Sequence, residues 1–229
     1  MIRLENVVRT YFRHGQTVTA LQCEHLQIQA SEYVAVVGPS GSGKTTLLSM
    51  LGGMLSPTAG RIYLDDCSLY EQTVAARSAI RLARMGFVFQ TFNLIPYLTA
   101  LQNVQVPLGL SGDPRDVQES RATTTLRRFG LGDRLNHKPS ELSVGQQQRV
   151  ALARTLVNDP QIILADEPTG NLDPDSREAV LKAFDDSHAE GRTIVMVTHD
   201  LAAAARAGRR LVLRDGMICE QSDGLSEAA

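Results

Sequence analysis

Residues Gly38, Pro39, Ser40, Gly41, Ser42, Gly43, Lys44, Thr45 and Thr46 form one run in the pattern G-x-x-x-x-G-K-[ST]. This spacing suits a polyphosphate. Glycines let backbone N–H groups close around an anion without a clashing Cβ, and a following helix turns its positive end toward it. Lys44 can reach β- and γ-phosphates, and the Thr45 hydroxyl is placed to ligate Mg²⁺. The flanks agree, since Tyr33-Val-Ala-Val-Val37 reads as a buried strand and Thr46-Leu-Leu-Ser-Met-Leu51 as a helix. The pattern implies a site for a nucleoside triphosphate.

A second group of reactive residues stands at strand ends. Gln161-Ile-Ile-Leu-Ala165 and Thr193-Ile-Val-Met-Val197 are apolar, β-rich runs typical of central parallel strands. Asp166 and Glu167 follow the first, His199 and Asp200 follow the second, and Gln90 ends the short strand Gly86-Phe-Val-Phe89. Open α/β sheets bind ligands at the carboxyl ends of their strands. There Asp166 can hold Mg²⁺, directly or through water, and Glu167 can orient or deprotonate an attacking water. A third signal is Leu142-Ser-Val-Gly-Gln146, which opens an alanine-rich helix with Ser143 as N-cap. The N-terminus of that helix is another anion site. The chain therefore carries two phosphate-binding surfaces.

These groups need a frame. Residues 2–30 mix alternation with turns and predict short antiparallel strands, and Arg61-Ile-Tyr-Leu64 predicts another. Residues 97–157 read as mostly helical, opening at Thr99 with Gln102 three positions on as a capping box. Leu211–Ile218 reads as a closing hairpin around an Asp-Gly turn, with little expected beyond it. The prediction is a parallel α/β core with a helical insertion.

Composition narrows the classes. The chain has 229 residues, 43% hydrophobic and 21% charged, with a formal net charge of -2, so nothing pulls it globally toward nucleic acid or anionic lipid. Cys23, Cys67 and Cys219 are far apart and odd in number, which suits a reducing cytosol and argues against a disulfide framework or a zinc site. The opening Met-Ile-Arg-Leu-Glu-Asn lacks the apolar region of a signal peptide, and no run approaches the ~18 apolar residues of a membrane span. Work at a membrane would need another chain to cross it. No Asn-Lys-x-Asp stretch for reading guanine is present.

The phosphate loop, Gln90, Leu142–Gln146, Asp166-Glu167, Gly170-Asn-Leu-Asp173 and His199 occur in the order found in the ATP-binding cassette (ABC) ATPases, and the chain resembles that family along essentially its whole length. The resemblance implies the fold: a RecA-like P-loop core with an antiparallel β-subdomain (together about 1–90 and 157–229) and a helical subdomain (about 91–156). It implies ATP and Mg²⁺ as cofactors, with Thr45, Gln90 and Asp166 around the metal. It also implies a head-to-tail homodimer, each nucleotide lying between one chain's phosphate loop and the other's Ser143, Gly145 and Gln146. Asp173 would line the dimer seam, His199 would contact the γ-phosphate, and Gln90 would link the site to the helical subdomain. Tyr11 matches the aromatic that stacks on adenine, a contact worth ~1–3 kcal/mol by analogy with nucleic-acid platforms.

One departure stands in the signature turn, where Val144 replaces the family's usual Gly. A Val adopts φ > 0 with difficulty and brings two methyls toward the opposing nucleotide, so looser dimer closure is expected.

Within the family, Asn136-His-Lys-Pro-Ser-Glu-Leu-Ser143, Leu156-Val-Asn-Asp-Pro160, Ala165–Asp173 and Leu213-Arg-Asp-Gly216 resemble the lipoprotein-releasing and macrolide-efflux branch. That likeness implies an energising subunit for a membrane permease that moves an amphiphilic cargo (lipoprotein, peptide or drug-like), on the cytoplasmic face of the inner membrane. Thr91–Thr99 would line the groove for a permease helix, with Phe92, Leu94, Ile95 and Tyr97 as apolar anchors. The alternative is a regulatory cassette of the cell-division type, without transport. Cassettes of DNA repair or translation usually show tandem cassettes, a long coiled-coil insertion or a basic arm; none is present.

Overall fold

The protein is described by a computed structural model covering residues 1–13, 15–170 and 172–221. The chain separates into two compact units, Met1–Ser78 with the segment from Thr193 onward, and Ala79–Arg192.

In the first unit, β1 (Ile2–Arg13) and β2 (Gln16–Ile28) form a long antiparallel pair, in register from Ile2 opposite Ile28 to Arg13 opposite Gln16 with one shift after Arg9. Both strands run longer than the short strands their mixed pattern suggests. The shift re-phases the side chains midway, which blurs a simple alternation. β3 (Tyr33–Val37) is buried at every position, and so is β8 (Thr193–Thr198), its parallel neighbour, in register from Tyr33 opposite Ile194 to Val37 opposite Thr198. Burial on both faces is why these strands are continuous apolar runs. β3 feeds α1 (Lys44–Leu51), and on its other side it pairs in parallel with β9 (Arg209–Arg214). β9 turns at Asp215 and Gly216, both with positive φ, into β10 (Met217–Gln221), which meets β2. β4 (Ala59–Leu64) and β5 (Cys67–Ser68) complete the antiparallel edge beside β1.

The second unit contains β6 (Met85–Phe89) and β7 (Ile162–Asp166), parallel and in register from Met85 opposite Ile162 to Phe89 opposite Asp166. Between them come α3 (Ala100–Ser111), α4 (Arg115–Arg128) and α5 (Val144–Leu156), and α6 (Pro174–Ala189) follows β7. Ala100, Val104, Leu108, Ala122, Leu126, Leu131, Val150 and Ala153 form a buried core among α3, α4 and α5. The predicted capping box is present: Gln102 N–H donates to Thr99 Oγ1 at 3.2 Å and Thr99 N–H to Gln102 Oε1 at 2.9 Å.

One helix escapes the sequence reading. α2 (Val74–Arg84) is amphipathic, with Arg77, Arg81 and Arg84 on one face and Ala76, Ile80 and Ala83 on another, yet none of its residues is fully buried. Its N-terminal signal was nonetheless there, since Thr73 Oγ1 accepts from Ala76 N–H at 3.2 Å.

Candidate functional site

In the first unit the phosphate loop leaves β3 at Gly38 and enters α1 at Lys44. Its cap is Gly43, at φ 105°, which has no side chain to accept from the first turn of α1. Uncapped N–H groups at a helix start are the elements of an anion site. The glycines are required by contact as well as by conformation. A Cβ on Gly38 would overlap the Leu213 carbonyl oxygen, and one on Gly43 would overlap that of Ala20. The loop is thus pressed against β9 and β2, and Gly216 N–H donates to the Ser42 carbonyl at 3.2 Å from behind. Lys44 is only 8% exposed. Its Nζ donates to the carbonyl oxygens of Gly38 at 2.7 Å and Pro39 at 2.9 Å, neutral acceptors that leave its charge uncompensated among the described residues. Ser42 Oγ is buried and has no hydrogen-bond partner among the described residues. Pro39, Ser40, Gly41 and Thr45 are exposed and Thr46 is half-buried. Exposed amides, an uncompensated ammonium and an orphaned hydroxyl fit a polyphosphate.

His199 sits at the same end of this unit. Val37 and Thr198 are paired, so Gly38 and His199 are the next residues out from neighbouring parallel strands. His199 is exposed, and Asp200 behind it caps α7 (Leu201–Ala204) through Ala202 N–H at 2.9 Å. Tyr11 lies opposite Val18, two residues from the Ala20 carbonyl that abuts Gly43. The Arg9 guanidinium covers one face of its ring, 4.6 Å from the centroid.

The second unit repeats the strand-end device. Phe89 and Asp166 are paired, so Gln90 and Glu167 both emerge from the ends of adjacent parallel strands. A Cβ on Gly170 would lie 3.1 Å from Gln90 Nε2 and 3.3 Å from the Glu167 carbonyl oxygen, which gathers Gln90, Glu167 and Gly170 into one cluster beyond Asp166. Glu167 has φ 46°, a left-handed backbone that a long side chain rarely takes, and Gly170 N–H closes its turn at 3.1 Å. Asn171 lies outside the described residues.

Ser143 caps α5 and forms a full capping box with Gln146. Gly145 is buried against the start of α6, where a Cβ would overlap Ser176 Oγ and lie 3.8 Å from Asp173 Oδ2. Asp173 caps α6 by accepting from Ser176 N–H at 3.0 Å. Hydrogen bonds from the Ser176 side chain and backbone hold its carboxyl below the usual range. The signature turn and Asp173 are therefore brought together.

Val144 is corrected by the structure. It is the first residue of α5 and is absent from the positive-φ residues, so no backbone strain arises there. Its side chain is 48% exposed, which leaves the two methyls as the only consequence.

Three polar residues hold backbone that the sequence reading does not assign to them, Asn103 locally and Arg154 and Gln148 across the chain. Asn103, fully buried on α3, accepts from Ile95 N–H at 2.8 Å and donates to the carbonyls of Ile95, Leu98 and Thr99, which shapes the loop before α3. Arg154 donates to the carbonyls of Phe92 and Asn93 at 2.7 Å each, both residues with positive φ, and burial lowers its pKa. Gln148, fully buried on α5, donates from Nε2 to the Pro168 carbonyl at 2.6 Å. Arg154 stands out as a charge within the apolar run Val150–Leu156, whereas Gln148 lies in the polar run Gln146–Arg149 and carries no such signal.

Residues 21–170 match the family model described as ABC transporter. The chain belongs to the ABC transporter family. It is 44% identical over 229 residues to an uncharacterized ABC transporter ATP-binding protein, YvrO of Bacillus subtilis, covering 100% of both. It is 46% identical over 227 residues to the macrolide export ATP-binding/permease protein MacB of Bartonella henselae, covering 99% of this chain and 34% of that protein. The chain thus spans about a third of such MacB relatives. The ATP-binding cassette MJ0796, solved as a dimer in a post-hydrolysis state with ADP and Pi, superposes with a TM-score of 0.89 at 41% identity, over 95% of this chain and 96% of that one. The fold is that of a P-loop ABC nucleotide-binding domain, and the chain is an ABC transporter ATPase homologous to MacB and YvrO. Among the described residues no helix is long and apolar enough to cross a membrane.

Proposed function

We propose that this ABC ATPase is the ATP-hydrolysing subunit of a transporter complex, powering export or mechanotransmission of an amphiphilic cargo through a separate membrane permease at the cytoplasmic face of the inner membrane. The observation that carries the catalytic reading is the paired strand ends. Phe89 opposite Asp166 delivers Gln90 and Glu167 side by side, with Glu167 in a strained backbone of the kind found at functional sites.

In this reading Gly38–Thr46 and Lys44 hold the triphosphate of ATP, Tyr11 faces the adenine and His199 the γ-phosphate. Thr45, Asp166 and Gln90 would hold Mg²⁺, which would neutralise charge on the phosphates. No cluster of three or more His, Cys, Asp or Glu able to hold a metal occurs among the described residues. That suits Mg²⁺, which is usually bound through one or two protein groups, phosphates and waters. Glu167 orients the water and takes its proton. Ser143, Gly145 and Gln146 contact the nucleotide of a second copy, with Asp173 at the seam, so the working form is a homodimer. The subdomain limits follow the same reading: core and β-subdomain about 1–90 and 157–229, helical subdomain about 91–156.

The permease docks on the second unit. An open groove of about 360 Å³ there is lined by Phe87, Phe89, Asn93, Pro107, Leu110 and Arg154. Of the expected docking segment Thr91–Thr99 only Asn93 lines this groove, and the anchors Phe92, Leu94, Ile95 and Tyr97 do not; Leu110 in the lining and Tyr97 outside it are 70% and 74% exposed, which supports a helix-in-groove partner. The deciding experiment compares ATP turnover per site for the chain alone and reconstituted with its co-expressed membrane partner. A permease that tethers two copies raises their effective concentration to about the mM range and promotes closure. Stimulated turnover is expected; an unchanged rate would favour the regulatory, non-transporting alternative.

A further inference from the structure

We infer that Gln148 is a positioning residue for hydrolysis, linking the Ser143–Gln146 turn to the backbone that carries Glu167. The inference rests on the proposed role of Glu167.

Glu167 sits at φ 46°, and such a conformation in a long side chain persists only where its surroundings hold it. Two bonds do so on its C-terminal side. Gly170 N–H donates to the Glu167 carbonyl at 3.1 Å, and Gln148 Nε2 donates to the next carbonyl, that of Pro168, at 2.6 Å. Pro168 has no N–H of its own, so it cannot be anchored as a backbone donor. The Gln148 bond is therefore a principal restraint on the residue adjoining Glu167.

The cost of that restraint argues against mere packing. Gln148 is 0% exposed, and its Oε1 is buried with no hydrogen-bond partner among the described residues. An unsatisfied buried acceptor is destabilising, and a Met or Leu would fill the same volume without it. What the amide adds is the directed bond to Pro168.

The same helix face grips the other end of this loop. Gly145, three residues before Gln148 and so on one side of α5, is closed against Ser176 Oγ. Further along, Thr155 Oγ1 donates to the Phe87 carbonyl of β6, the strand that ends before Gln90, at 2.6 Å. α5 thus starts at the proposed second anion site, is hydrogen-bonded to Pro168 and Phe87, and packs closely against Ser176. A hydrogen-bonded helix moves as one body over a single turn. Displacement of the Ser143–Gln146 turn by an anion is passed to the Glu167 backbone through Gln148.

The test uses the full-length chain with MgATP and the variants Gln148→Met, Gln148→Glu, Glu167→Gln and the Gln148→Met/Glu167→Gln double. Met keeps the volume and removes the donor; Glu keeps the shape and turns an oxygen toward the Pro168 carbonyl. Both single variants at 148 are expected to lose roughly 10- to 100-fold in kcat, the scale of a misplaced reacting group, with KM and monomer ATP affinity within about twofold of wild type. In the Glu167→Gln background, Gln148→Met should leave the residual single-turnover rate unchanged. Wild-type kcat in either folded 148 variant overturns the inference, as does an equal loss in both backgrounds. A joint loss of kcat, ATP affinity and thermal stability in both 148 variants would assign Gln148 to packing and also overturn it. Near-normal turnover in Glu167→Gln alone would instead remove the reading of Glu167 on which the inference stands.

Discussion

Ser143 and Gln146 hold each other at the start of α5, with Gln146 N–H donating to Ser143 Oγ at 3.3 Å and Ser143 N–H to Gln146 Oε1 at 2.9 Å. The hydroxyl proposed to meet a nucleotide on a second copy is also the cap of its own helix. Ser143→Ala should therefore lose ~1 kcal/mol of stability, a fall of about 2–4 °C in Tm. It should leave ATP binding by the monomer intact and impair dimerisation and hydrolysis. Ser143→Asp restores a cap without the hydroxyl. Calorimetry and gel filtration on both variants check the separation: Tm should recover in Asp while dimerisation does not.

Lys44 is nearly buried and, among the described residues, its hydrogen bonds go to the neutral carbonyls of Gly38 and Pro39. Lys44→Ala should reduce turnover by roughly 10²-fold or more, because it removes a donor aimed at the transferred phosphoryl group. Titration with a fluorescent ATP analogue should show weakened monomer binding, unlike Ser143→Ala. Equal monomer affinities in the two variants would count against separate cis and trans sites.

Glu167→Gln keeps the shape of the side chain and removes the base. Turnover is expected to fall roughly 10²–10⁴-fold while ATP still binds. With no hydrolysis to reset it, the variant should elute as an ATP-dependent dimer on gel filtration, and a monomeric, active variant would refute the assignment.

The docking face is better probed at Tyr97 than at Leu94. Leu94 is half-buried against the helical core, so a charge there would disturb folding, whereas Tyr97 is 74% exposed. Tyr97→Glu and Leu110→Glu should keep the basal ATPase rate and lose stimulation by the permease in nanodiscs. Full stimulation in both would move the docking surface elsewhere.

The cysteines give a check on the fold that is independent of activity. Burial, with a smaller contribution from Glu24, pushes the Cys23 thiol from 9.0 up to about 11. Its thiolate fraction near neutral pH is then about 100-fold lower than that of an unshifted thiol. Cys219 is exposed. Iodoacetamide at pH 8 should label Cys219 first and spare Cys23 until denaturant is added, as read by peptide mass spectrometry. Early labelling of Cys23 would mean that β2 is not packed as described.

Much of the chemistry was legible because it resides in contiguous residues. The phosphate loop needs only its own glycines, its lysine and a strand and helix on either side, and all of these are local patterns. The largely apolar runs Tyr33–Val37 and Thr193–Val197 announce strands buried on both faces, and the residues after them must emerge at their carboxyl ends. Thr99 with Gln102, and Ser143 with Gln146, predict helix starts from a spacing of three.

Tertiary structure decided what depends on neighbours distant in the chain. No local pattern says that Gly38 and Gly43 must be glycine because the Leu213 and Ala20 carbonyls press on them, or that Gly145 closes on Ser176. Val144 looked strained from its identity alone, and only its place as the first turn of α5 shows an ordinary backbone. Gln148 and Arg154 resemble unremarkable polar positions on a helix until the fold reveals what they bind. A hydrogen bond joins atoms whose approach is set by packing, and packing is a property of the whole fold. The sequence alone therefore determined the type of chemistry and its strand-end address, while the fold decided which distant carbonyl each buried donor holds.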